Sequence, residues 1–106
     1  MKIQDASQVL GMPVADLDGR RLGRIVAVDC TSDPYTAAWF VVRLGGWRRR
    51  LRAVPAQDAD WSTGAGIHVP YGRGQILASP TPSKDGVHDL ACRRAIEAFY
   101  AAVPVA

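Results

Sequence analysis

Five arginines (Arg43, Arg48, Arg49, Arg50 and Arg52) fall within one ten-residue window that holds no acidic residue, with Trp47 in its midst. Read as a β-strand over 47–54, the segment projects Arg48, Arg50 and Arg52 to one side, about 6.6 Å apart, and Trp47, Arg49 and Leu51 to the other. Guanidinium groups in such a stripe can meet carboxylates or phosphates bidentately. Trp47 or Trp39 would offer a stacking surface beside them. The same run also reads as the wet face of a strand, where arginine blunts an exposed edge. Of the 13 Lys and Arg residues, those outside the window are outnumbered by the 10 Asp and Glu, so the net charge of +3 is a local excess. A concentrated patch attracts anionic partners better than the same charge dispersed. Three readings stay open: a solvated strand face, an acidic protein partner, and RNA or DNA.

Other reactive side chains are sparse. Ser7, Ser32, Ser62, Ser79 and Ser83 stand in no GxSxG context. His68, between Ile67 and Val69, falls on the outward face of a predicted strand, and His88 lies near the start of a predicted helix; both read as ordinary solvated or hydrogen-bonded histidines. Cys30 and Cys92 form no CxxC, and with the two histidines they make no zinc spacing. Each cysteine reads as a small buried hydrophobe. "DLDGRRLG" resembles the start of a calcium loop, but Arg20 stands at loop position 5, where an oxygen ligand is needed, so a turn that uses Gly19 for an unusual backbone angle is the expectation. "YGRGQ" lacks the residues of a phosphate cradle. The residues therefore predict no catalytic apparatus, no metal and no cofactor.

Bulk properties bound the setting. A chain of 106 residues, 48% hydrophobic and 22% charged, is expected to form one globular domain. Its longest apolar run, "AAWFVV", is far short of the roughly 20 residues of a membrane helix. "MKIQDASQVL" lacks the apolar core of a signal peptide. A cytoplasmic protein with reduced thiols and no membrane insertion is the expectation.

Elements must position these residues. Turn signals recur at "GMP", "DLDG", "SDPYT", "LGG" and "STGAG", the punctuation of a small all-β domain. Strands are predicted at 22–30, 37–44, 47–54 and 66–71, with a shorter one at 12–15, and "TSDPYT" forms a hairpin loop between the first two. In 37–44, Ala38, Phe40, Val42 and Leu44 make the core face, leaving Trp39 and Val41 to look outward with Arg43. In 22–30, Leu22, Ile25 and Val28 share a face only if a β-bulge intervenes. "SPTPSKDG" reads as a linker at 81–86, separating a β domain at 1–80 from an amphipathic helix at 87–103, where Ile96, Phe99, Tyr100 and Val103 recur at helical spacing. So short a helix must dock on the sheet or on a second copy. Trp39, Val41, Ile96, Phe99 and Tyr100 are the residues for that contact, with Trp61 as a neighbour of the patch.

In order and spacing, these motifs resemble the PRC-barrel domain family. "LGMPVADLDGRRLGRIVAVDCTSDPYTAAWFVVRLGG" is similar to the family's opening, with its D-G-x-x-[IL]-G-x-[IV] turn and strand, D-P-x-T loop and VV-x-x-GG strand end. "LRAVPAQDADW" and "GIHVPYGRGQILASP" resemble its Val-Pro corner and its V-P-Y exit. The likeness spans about residues 10–80 and departs from the pattern in the dense arginine run. It implies a small, strongly bent antiparallel β-barrel used as an interaction module rather than as an enzyme. Related domains occur in the H subunit of photosynthetic reaction centres and in a ribosome-maturation factor that binds a ribosomal protein.

Together these observations predict a mainly β, non-enzymatic bacterial adaptor, homodimeric through the Trp39 face or closed there by its own helix. It would dock a protein partner through an exposed aromatic patch and an arginine stripe made of Arg48, Arg50 and Arg52 with Trp47 and Trp39. The alternative is an RNA- or ribosome-associated protein that uses the same basic strand.

Overall fold

The long alternating segments become the two longest strands of the computed structural model, which describes residues 1–46, 50–62, 66–82 and 90–102. After a single 3-10 turn at Ala6–Gln8, the elements are β1 (Pro13–Ala15), β2 (Arg21–Cys30), β3 (Ala37–Leu44), β4 (Leu51–Pro55), β5 (Asp60–Ser62), β6 (Gly66–His68), α1 (Arg73–Ala78) and α2 (Leu90–Ala102). All six strands belong to one sheet of order β4-β3-β2-β1-β6-β5. The sheet is mainly antiparallel, as the alternation implied, but β1 and β6 run parallel. Its end strands are not joined to each other, so among the described residues the barrel is not closed. The parallel pair follows from connectivity: β6 returns beside β1 instead of extending the β2-β3-β4 meander, and a parallel neighbour needs a long crossover.

Residues 47–49, the first three of the strand predicted over 47–54, lie outside the described residues, as do linker positions 83–86 and positions 87–89 and 103 of the predicted helix. The described part of that strand begins at Leu51. Two short elements had no counterpart in the sequence reading: β5, which pairs with β6, and α1, which ends the segment predicted as a strand through Tyr71. In α1, the Gly72 N–H donates to Gln75 Oε1 at 2.8 Å, half of a capping box, because a glycine cap has no side-chain oxygen to return the bond.

The β2–β3 ladder is the backbone of the molecule. Its register shifts once between Ile25 and Ala27, where the expected bulge falls, and again between Asp29 and Cys30. Leu22 and Ile25 are thereby both fully buried while Val28 stays half-buried. At Gly23 the two strands approach so closely that a Cβ would overlap the Arg43 carbonyl oxygen, so only glycine fits. The loop at the far end is ordered by Asp33. Its Oδ1 accepts the Tyr35 N–H at 2.9 Å, and its Oδ2 accepts Thr36 Oγ1–H at 2.9 Å and Lys2 Nζ at 3.0 Å.

The expected outward direction of Trp39 and Val41 is corrected. Trp39 is 8% exposed and Val41 is fully buried, alongside Phe40, Val42 and Leu44 on the other face. A strand with elements against both faces loses its alternation of wet and dry positions. Here α2 supplies the second layer. Tyr100 sets its ring 5.9 Å from that of Trp39 and donates its hydroxyl to the Ala53 carbonyl at 2.8 Å. Ile96 is fully buried, and Phe99 packs edge-on against Tyr100 at 5.1 Å. Val41 faces Ala53 across the β3–β4 ladder, so Trp39, Val41 and Ala53 share the face that the helix covers. One chain thus provides the cover that a second copy would otherwise have supplied.

Candidate functional site

Antiparallel pairing places Arg24 of β2 directly opposite Arg43 of β3. Paired residues share a face with Cβ atoms about 5 Å apart, where like charges repel. Arg21, at the start of β2, and Arg73, at the start of α1, complete the group, and all four side chains are exposed. Together with Gly45 and Gly46, beyond the end of β3, they line a cleft of about 620 Å³. No acidic and no aromatic residue is among the described residues that line it. Nor does any of the four guanidinium groups meet a carboxylate among the described residues.

Two of the four arginines are held by the main chain. Arg24 donates Nη1–H to the Gly11 carbonyl at 2.9 Å, and Arg73 donates Nη2–H to the Gly45 carbonyl at 3.0 Å. The Arg73 bond also fastens α1 to the end of β3. Each of these guanidinium groups spends one of five N–H donors on the fold and keeps the rest for an incoming group. Gly46 adopts a φ of 115°, in the region where a side chain would be strained. With no side chains at 45 and 46, the mouth stays open beside Arg73.

Arg43, Leu44, Gly45 and Gly46 of this lining belong to the window that drew attention in the sequence. Among the described residues, Arg43 is the one arginine common to both. Arg48 and Trp47 lie outside the described residues. Arg50 is exposed and precedes β4, and its carbonyl accepts the Leu44 N–H at 2.8 Å. Arg52 is half-buried, donating from Nη1 to the Leu51 carbonyl at 2.7 Å and from Nε to the Leu77 carbonyl at 3.4 Å. Burial, and then the nearby charge of Arg50, lower its pKa from the ordinary arginine value. Arg52 therefore anchors β4 to α1 instead of standing in an exposed stripe. Trp39 is buried under α2, so the exposed aromatic patch expected there does not form around it. Trp61, on β5, is 43% exposed and stands apart from the Trp39–Tyr100 contact.

Arg21, Arg24 and Arg73 were missed because the sequence reading weighed arginines by closeness along the chain. The signal was present in the hairpin: a loop at 31–36 between strands 22–30 and 37–44 sets residue 24 against residue 43.

The remaining chemistry-bearing residues fall into quiet surroundings. Asp16 Oδ1 accepts the N–H groups of Asp18 and Arg20, both at 2.9 Å, and Gly19 has a φ of 79°, so "DLDG" forms a turn. No group of three or more metal-ligating side chains occurs among the described residues. Cys30 and Cys92 are reduced and half-buried rather than fully buried, with Sγ atoms 3.5 Å from the Pro34 carbonyl and 3.6 Å from the Thr81 carbonyl. His68 is half-buried on β6. Among the described residues, no helix is long and apolar enough to cross a membrane.

The model of the PRC-barrel domain matches residues 1–81. The chain belongs to the PRC-barrel family. The match takes in the whole six-stranded sheet and α1, and with them every residue of the arginine-lined cleft; α2 lies beyond it. No curated protein matches the chain. Family membership fixes the scaffold, and a PRC-barrel scaffold does not by itself name a partner.

Proposed function

We propose that this PRC-barrel protein is a non-enzymatic interaction module that docks an acidic protein partner on the arginine-bearing end of its β2–β3 hairpin. The acid-free cleft carries this reading. Four exposed arginines line it, and none of them meets a carboxylate among the described residues. Such an arrangement raises the rate of encounter with an anionic surface and selects against basic ones. The docking surface differs from the one suggested by the sequence alone, since Trp39 is covered by α2 and Arg52 is engaged by the main chain.

Tagged protein should capture a defined partner from native lysate in the presence of nuclease. Arg43→Glu with Arg73→Glu should abolish that capture while the melting temperature moves by no more than about 2–4 °C, since surface changes cost little. Capture that vanishes with nuclease would establish the nucleic-acid reading instead. Undiminished capture by the double variant would remove the arginine face from the interaction.

A further inference from the structure

The cleft is more specific than a basic surface. Arg24 and Arg43 face one another across the ladder, and Arg73 reaches the same space from α1, its guanidinium held at 3.0 Å from the Gly45 carbonyl. Three guanidinium groups from two layers of the fold thus surround one volume, and the two tied to carbonyls are partly ordered before any ligand arrives. Ordering in advance lowers the entropic cost of gripping an anion. Between the charges the lining includes the half-buried Val26, while Leu22 and Ile25 are fully buried.

We propose that this cleft seats a glutamate side chain of the partner, its carboxylate bridging Arg24, Arg43 and Arg73 and its methylenes lying beside Val26. The assignment rests on the docking reading and adds the chemistry of the anchor. Three features select a carboxylate on a stem. The unrelieved Arg24–Arg43 repulsion is satisfied by one planar anion with two acceptor oxygens, the geometry a guanidinium fork matches. A volume of about 620 Å³ is far larger than a single inorganic anion and fits a short peptide segment. The half-buried Val26 side chain favours methylene groups over a fully hydrated dianion.

The test is a titration of the full-length 15N-labelled chain, following the arginine Nε–Hε resonances. The probes are blocked tetraglutamate, inorganic phosphate and blocked tetralysine. Tetraglutamate should produce saturable shifts at Arg24, Arg43 and Arg73 that weaken with added salt, and tetralysine should produce none. Arg43→Gln should weaken the binding roughly tenfold, the scale of a lost charge-assisted hydrogen bond. Arg43 makes no hydrogen bond from its side chain to the fold among the described residues, so this variant should keep the parent amide spectrum. Absent saturation, or equal binding by Arg43→Gln, overturns the seat. Phosphate that displaces tetraglutamate at lower concentration reassigns the anion and overturns the glutamate. The two proposals fail separately. A partner captured equally by wild type and Arg43→Gln would sink the seat and leave the adaptor reading standing. Tetraglutamate binding without any nuclease-resistant capture would do the reverse.

Discussion

The β2–β3 hairpin ends in two clefts of nearly equal size and opposite character. At the end where β2 begins, a cleft of about 620 Å³ carries four exposed arginines and no acid among its described lining residues. At the loop end, a cleft of about 590 Å³ is lined by Trp39, Tyr71 and Tyr100, with Asp58 and Glu97 as its charged side chains and no Lys or Arg among its described residues. The same ladder builds both, so the difference lies in what packs over it. The arginine cleft is bounded by main chain, through ladder bonds, two glycines and carbonyl-held guanidinium groups. The aromatic cleft is bounded by side-chain packing, with Tyr71 and Tyr100 edge to face at 5.0 Å and Trp39 behind them. One end is stiff and wet, and the other depends on a helix staying in place.

The largest effect should come from the backbone-built end. Gly23→Ala would drive a Cβ into the Arg43 carbonyl oxygen and meet the Arg43 carbonyl carbon at 2.8 Å, where backbone cannot step aside. Failure to fold, or a loss of at least about 3 kcal/mol in denaturant unfolding, is expected from such overpacking of backbone on backbone. A loss below about 1 kcal/mol would mean that the ladder can open there and that the arginine cleft is not rigid. At the other end, Ile96→Ala leaves a cavity under α2 at a fully buried position and should cost about 2–5 kcal/mol. That variant should bind tetraglutamate as the parent does, because Ile96 takes no part in the arginine cleft. Loss of binding on loosening α2 would show the two ends to be coupled.

The same contrast explains what could be read from residues alone. Local pattern carried the strands: the ranges for β2 and β3 follow from alternation and the DPYT turn, and the bulge in β2 from the misfit of Leu22, Ile25 and Val28. The faces of β3 could not be sorted this way, because a strand covered on both sides shows no wet–dry alternation, and the cover is a helix some fifty residues away in sequence. β5 and α1 were missed as three- and six-residue elements with too few periods to register. The arginine cleft shows a different limit. Arg21, Arg24, Arg43 and Arg73 converge only after pairing and packing, whereas the conspicuous run places Arg52 under α1. Density along the chain indicated that charge mattered but not where it would collect.

A pH titration sharpens the comparison at the aromatic end. Burial, more than any neighbour, pushes the Tyr100 hydroxyl up to about 12 from 10.0. The folded state holds this proton more tightly than the unfolded chain, so its contribution is full below pH 10 and is lost as pH rises through about 12. Stability should fall over that window by an amount on the order of 2 kcal/mol. Tyr100→Phe should flatten this limb while costing about 1 kcal/mol at neutral pH for the bond to Ala53. An unchanged alkaline limb in Tyr100→Phe would place the titration elsewhere.

The smallest effect belongs to the loop beside the aromatic cleft. Asp33 is held down to about 2, chiefly by the Tyr35 N–H and then by Lys2 and Thr36. A lowered carboxylate pKa contributes stability above the ordinary value of 3.8 and loses it as pH falls through about 2, the reverse of the tyrosine limb. Lys2 pairs with Asp33 at 3.0 Å, but the two side chains are 78% and 42% exposed. Solvent and salt screen such a pair, and the first cause of the shift is a main-chain bond. Lys2→Ala should therefore leave the midpoint of denaturant unfolding at neutral pH unchanged within error, and Asp33→Asn should reduce the acid-side dependence. A clear loss from Lys2→Ala would show that the ion pair, and not the Asp33 turn, closes this end of the hairpin. Charge would then organise both ends of the ladder, and the division between a charged end and a packed end would not hold.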